Sequence, residues 1–182
     1  MNNNNNNNIW LTSDLHFNHD KDFIWAARGF SSVQEMNEEQ IARYNAFVED
    51  EDIVYIAGDS MMGQDMKAGL ALLRRLKGKK YLVIGNHDTY TRIAAYKESG
   101  IFEDIQFAYR LRVKGRSYLI THYPTITANG EDTRTVNLFG HTHQTTTHFE
   151  DRKYMYHIGV DSNNCFPVNL NDIVEYYKDG GK

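Results

Sequence analysis

The chain has 182 residues, 41% apolar and 24% charged, with 20 basic against 24 acidic side chains and a formal charge of −4. That size suits one domain, and the charge excludes a broadly basic nucleic-acid coat. One cysteine, Cys165, against eight histidines excludes a disulfide framework and a cysteine-rich zinc module, so any metal would sit on nitrogen and oxygen.

No apolar stretch approaches the ~18 residues needed to span a bilayer. No basic segment followed by an apolar run opens the chain, and with the lone cysteine this predicts a cytoplasmic protein with no membrane partner. Residues 1–8 are Met1 followed by seven asparagines, a tract with nothing to bury that is expected to be disordered or artefactual. Residues 9–182 are expected to form a single domain.

In chain order, Ile9–Ser13 reads as a buried strand. Ser32 to Glu35 fits a capping box that opens a helix reaching about Val48, with Ile41, Tyr44 and Val48 on one face. Ile53–Ala57 is a second strand, stopped by Gly58. Asp65–Leu76 reads as a helix with Leu72, Leu73 and Leu76 inward and Gly78 as its stop. Tyr81–Ile84 is a third strand, and Thr89–Glu98 a helix. Asp104–Val113 and Arg116–Thr121, joined by Lys114-Gly115, read as a hairpin. Val136–Phe139, Thr145–Phe149 and Tyr154–Ile158 are further strands. A helix from Leu170 to Tyr177 closes the series, with Asn169 or Asn171 as its cap. The order βαβαβα followed by a strand-rich half predicts an α/β fold with two packed sheets.

The chemistry lies just past the strands. Asp14-Leu15-His16 follows the first, Gly58-Asp59 the second, and Gly85-Asn86-His87-Asp88 the third. Thr121-His122 and Gly140-His141-Thr142-His143 end two later ones. Ligands in open α/β sheets bind beyond the carboxyl ends of strands, so these groups are expected to converge. Residues i and i+2 of an extended segment point the same way, which pairs Asp14 with His16 and His141 with His143. Two aspartates, one asparagine and four histidines exceed a single tetrahedral centre and suit two cations sharing a carboxylate. Mn, Fe, Zn, Co and Ni all accept such ligands.

This series resembles the calcineurin-like metallophosphoesterase superfamily, over essentially Ile9 to Tyr177. It looks closest to small single-domain bacterial and phage-type members, which are similar also in Ser13–His19, Arg28–Ser32, Gly159-Val160-Asp161 and Pro167-Val168. The resemblance implies a four-layer α/β/β/α sandwich with two mixed sheets flanked by helices. It implies one metal on Asp14, His16, Asp59 and His143, and a second on Asp59, Asn86, His122 and His141, with Asp59 bridging. It further implies a phosphoesterase that attacks mono- or diesters in line with a metal-bridging hydroxide. His87 would act as general acid over the phosphate, and Asp88 would orient His87. Nucleic acid enters only as a possible substrate.

Protein Ser/Thr phosphatases of the superfamily carry further Asp and Arg residues after the Gly-Asp. Here the run is Ser60-Met61-Met62-Gly63, which speaks against a phosphoprotein substrate. His19 is placed either to reach the phosphate or to sit in a surface loop. Arg28 is placed either to grip a phosphate oxygen with its forked donors or to cap a nearby helix. The basic run Arg74–Lys80 reads as a solvated helix end. Two readings compete with the phosphoesterase: a silent metal-binding scaffold, and a dedicated nuclease or cyclic-nucleotide phosphodiesterase. Scaffolds of that kind usually lose His87 or a ligand, and this chain keeps them all.

Overall fold

The computed structural model describes residues 7–127, 134–149 and 152–178. Most of the expected asparagine tail and much of the loop after Thr125 lie outside those residues. Asn8 is tied in: its amide donates to Asp52 Oδ1 at 2.9 Å, and its carbonyl accepts from Ile53.

The chain forms β1 (Ile9–Thr12), α1 (Asp22–Trp25), α2 (Val33–Asn45), β2 (Ile53–Ile56), α3 (Met66–Arg74), β3 (Lys79–Val83), α4 (Tyr90–Ser99), β4 (Phe102–Gln106), β5 (Ala108–Val113), β6 (Arg116–Thr121), β7 (Thr135–Phe139), β8 (His148–Phe149), β9 (Arg152–His157), β10 (Val168–Asn169) and α5 (Leu170–Lys178). Two five-stranded sheets result, ordered β10-β1-β2-β3-β4 and β5-β6-β7-β9-β8. In the first, β1 to β4 are parallel and β10 is antiparallel. In the second, β6, β7 and β9 are parallel, with antiparallel β5 and β8 at the edges. These are two mixed sheets flanked by helices, as expected.

Alternation along the strands divides the core in two. Trp10, Val54, Ile56 and Leu82 face Met36, Tyr44, Leu73 and Tyr96 of the helices. Leu11, Ala57 and Val83 face the other way, toward Tyr118, Ile120, Val136 and Leu138 of the second sheet, where α5 adds Ile173, Val174 and Tyr177. The parallel strands thus end together, and their carboxyl-end turns share one rim.

Helix starts follow side-chain capping. Ser32 Oγ accepts from Glu35 N at 3.1 Å, while the Glu35 carboxylate takes the amide and hydroxyl of Ser31, one residue earlier than the box motif predicts. Asp65 accepts from Ala68 N, and Asn169, rather than Asn171, caps α5.

Several expectations are corrected. The predicted strand Asp104–Val113 is two strands in different sheets. Gln106 O accepts from Ile84 N in the first sheet, and two residues later Ala108 pairs with Thr121 in the second. Alternation runs through the crossing at Phe107 without a glycine or proline to mark it. Thr145–Phe149 shortens to β8 because the Gln144 amide bonds the carbonyls of Thr146 and His148. α3 ends with Arg75 still in right-handed geometry, and Gly78 (φ +83°) instead turns the chain tightly past Val54 into β3. The short elements α1 and β10 were not anticipated.

Leu82 is fully buried in the interior strand β3. Leu82→Ala is expected to cost about 2–5 kcal/mol and lower Tm by at least about 4 °C. A melting curve shifted less than that would contradict the packing described.

Candidate metal centre

Backbone bonds tie the turn after β1 to that after β2, and the turn after β6 to that after β7. Asp14 N donates to Gly58 O at 3.1 Å, His16 N to Asp59 O at 3.0 Å, and Gly140 N to His122 O at 3.0 Å. Across the sheets, His141 N donates to Asp14 Oδ2 at 2.9 Å. Five predicted ligands sit at positive φ: Asp14 (58°), His16 (49°), Asp59 (52°), His141 (69°) and His143 (49°). The i, i+2 pairs therefore converge through alternating left-handed residues, not through the extended backbone expected. Each such residue costs roughly 1–2 kcal/mol, a strain that persists where a site depends on it.

Close approach also explains two glycines. A Cβ on Gly58 (φ +94°) would lie 2.5 Å from His122 Nδ1, and one on Gly140 would overlap Ser13 Oγ.

Side chains from these turns converge. His16 Nε2 lies 3.2 Å from His143 Nε2, 3.8 Å from Asp59 Oδ2 and 3.9 Å from Asp14 Oδ1. His122 Nε2 lies 3.5 Å from the same Asp59 Oδ2, which puts that oxygen between two donor groups. Asn86 Oδ1 stands 2.7 Å from His122 Nε2 and 2.9 Å from His141 Nδ1. Asp14, His16 and His143 form one group able to hold an ion, and Asp14, Asp59 and His122 another.

The donor set fits a cation. His122 donates Nδ1–H to Ala57 O at 2.8 Å, which leaves Nε2 a lone pair aimed at Asn86 Oδ1. Two acceptors at that distance repel, and a shared cation removes the conflict. His143 donates Nδ1–H to Asp161 Oδ2 at 2.9 Å and presents its other nitrogen inward. Imidazoles anchored this way through the far nitrogen are characteristic of metal ligands. Asp14 Oδ1 and His16 Nδ1 are buried with no hydrogen-bond partner among the described residues.

Burial dominates the titration here. It raises the Asp14 and Asp88 carboxyls above the ordinary range. It pushes His16 down to about 2, helped by the nearby Arg28 charge. His143 is raised, chiefly by its bond to Asp161. Burial works against ionised Asp161, but His143 and Arg28 hold it well below the usual carboxylate range.

Two residues do something other than expected. Asp88 does not orient the His87 ring. Its carboxylate accepts from the amides of Asp59 and Gly85 and from Tyr96 Oη, so it pins the second and third turns together. Arg28 neither caps a helix nor offers free donors to a phosphate. Its guanidinium forms a two-pronged pair with Asp161 at 2.9 and 3.1 Å and reaches the carbonyls of Asp14 and Leu15. His19 is at the site, with its ring 5.5 Å from that of His16. The His87 ring also stands 5.5 Å from His16, and its ring nitrogens bond to no described residue.

Asp161 is the functional position given no role from sequence. The signal was available: it follows β9 in the same strand-end pattern as the ligands. His148 and His157 lie outside the cluster, as expected. His148 stacks on Tyr176, and His157 bonds Ser162 Oγ.

Residues 8–169 match the calcineurin-like phosphoesterase family, and the chain belongs to it. It is 29% identical over 182 residues to an uncharacterized protein of Methanocaldococcus jannaschii, MJ1445, covering 94% of this chain and 92% of that one. It is 27% identical over 206 residues to the gene 66 protein of Mycobacterium phage D29, covering 92% and 98%. The protein of unknown function AQ665 from Aquifex aeolicus shares the fold, with a TM-score of 0.70 at 22% identity over 93% and 99% of the two chains. No helix among the described residues is long and apolar enough to cross a membrane.

Unfolded histidines take a proton near pH ~6.5. In the metal-free fold His16 waits until about 2 and His157 until about 4. Between roughly pH 4 and 6.5 the unfolded chain therefore binds more protons, so stability rises with pH. The raised carboxyls of Asp14 and Asp88 oppose this with two protons, against four histidines whose pKa is lowered, His16, His19, His141 and His157. Chelator-treated protein is expected to melt lower at pH 5 than at pH 7. A flat or inverted profile would contradict the buried neutral histidines.

Proposed function

We propose that the chain is a dinuclear-metal phosphoesterase hydrolysing phosphate mono- or diesters. The observation that carries this reading is the convergence of seven nitrogen and oxygen donors from five strand ends. Asp14, His16, Asp59 and His143 would hold one divalent cation. Asp59, Asn86, His122 and His141 would hold the other. Bound there, Mn, Fe, Zn, Co or Ni would polarise the phosphoryl oxygens and lower the pKa of a water that attacks phosphorus in line.

The remaining groups place and protonate. Asp161 and Arg28 hold the His143 ring and the Asp14 turn at once. His87 is fixed through its backbone: its amide donates to Asp59 Oδ1 at 2.8 Å, and its carbonyl accepts from Arg92 at 2.6 Å. That leaves its ring unengaged beside His16. As attack breaks the bond from phosphorus to the leaving oxygen, a protonated His87 delivers the proton that oxygen needs. His19 flanks the same space and is placed to touch a bound ester.

The test compares bis-p-nitrophenyl phosphate with p-nitrophenyl phosphate in added manganese, for wild type and His87→Ala. The variant is expected to lose about 10²–10⁴ in kcat while keeping its metal content. A full rate in the variant would remove His87 from the mechanism. A wild type that binds two metals yet turns over neither ester would establish the silent scaffold instead.

A further inference from the structure

Most surface cations of this chain are engaged. Arg75 pairs with Glu38, Lys77 with Glu49 and Lys79 with Glu51, which accounts for much of the basic run seen in the sequence. Lys114 and Lys178 share Glu175. Lys67, Lys97, Arg110, Arg112, Arg152 and Lys153 make no hydrogen bond or ion pair with any described residue, and of these Arg110 and Arg112 are both exposed and share one cavity. They lie on the edge strand β5, where alternation puts Ala108, Arg110 and Arg112 on the outward face. There they line a cavity of about 360 Å³ with Arg134 and the hydroxyl residues Ser117 and Thr135. Guanidinium and hydroxyl donors in one concavity suit phosphate oxygens.

The position of this strand ties it to the metal centre. Ala108 pairs with Thr121, and the next residue is the predicted ligand His122. Arg110 and Arg112 then follow down the strand in steps of about 6.7 Å, two residues at a time. That step is close to the reach between successive phosphates of an extended polynucleotide. Beyond the upper end of the strand, Tyr123 is half exposed, with its ring 4.6 Å from that of His141 and 5.0 Å from that of His122. Unpaired cations at strand spacing that lead to an exposed ring are the two elements of sequence-tolerant single-strand binding.

We propose that Arg112, Arg110 and Tyr123 form a track that delivers a single-stranded polynucleotide to the metal centre, which makes a phosphodiester of such a strand the substrate. This rests on the phosphoesterase reading for the chemistry but not for the binding. The arginines take consecutive phosphates, and Tyr123, beside the His122 and His141 rings, stacks a base near the scissile position. The overall charge of −4 is no obstacle, because the track needs only a local field.

Fluorescence anisotropy with a labelled twenty-nucleotide oligothymidylate, in chelator to prevent turnover, tests the track on the full chain. Wild type is expected to bind. The Arg110→Ala/Arg112→Ala double variant is expected to bind at least tenfold more weakly at low salt. The slope of log affinity against log salt should shrink by about 1.4, for two lost phosphate contacts on a single strand. Tyr123→Ala should weaken binding severalfold and leave the slope unchanged. The exposed positions make loss of folding easy to check by melting, and Arg110→Gln is the milder substitute. The proposal is overturned if wild type does not bind, if affinity and slope survive the double substitution, or if heparin or a duplex of equal length competes as well as the strand. Wild-type turnover of bis-p-nitrophenyl phosphate reports separately. Turnover without oligonucleotide binding sinks the track alone, and binding without turnover sinks the phosphoesterase reading alone.

Discussion

The arrangement depends on the carboxylate of Asp14. It is wholly buried at the seam between the two sheets, and the one permanent cation described beside it, Arg28, pairs with Asp161 and touches only the Asp14 backbone carbonyl. Its one bond that joins the sheets is to the amide of His141. His122 and His143 favour its ionised form, but burial outweighs them, and burial also keeps His16 neutral. An isolated buried carboxylate costs several kcal/mol unless something offsets it. Asp59, equally buried and only a turn away, doubles the problem. A pair of divalent cations resolves both, and the surrounding nitrogens and oxygens face the place where such ions would sit.

The rest of the molecule serves that seam. Parallel strands in both sheets deliver their carboxyl ends to one rim. Asp88 locks two of the turns together, and Arg28 with Asp161 locks two more. Left-handed residues at five ligand positions turn short segments back on themselves, so that neighbours two apart in sequence grip one site. The strain would be pointless in a plain loop. It is sustained by backbone bonds between turns and by buried polar groups of α2, such as Gln40, which donates to Leu15 O.

Much of this was legible from residue order. Donors recurring just past apolar runs mark the strand ends, and Ser32 with Glu35 marks a helix start to within a residue. What was hidden has physical reasons. Asp161 lies 133 positions from Arg28 and 18 from His143, so no local spacing could join them. Asp88 is adjacent to His87 in sequence, but the turn sends its carboxylate inward to Tyr96 and the backbone. The switch of sheets at Phe107 carries no turn residue, because alternation continues unbroken across it. Pairing state was equally invisible: the basic run at Arg74–Lys80 draws the eye yet is mostly neutralised, whereas Arg110 and Arg112 are not.

The most direct measurement is the rise in Tm on metal loading, compared between wild type and Asp14→Asn. An unpaired buried charge should make the chelated wild type melt below the chelated variant, and metal should raise wild type by much more. An equal rise in the two proteins, or a chelated wild type more stable than the variant, would contradict the claim that a cation offsets the charge of Asp14.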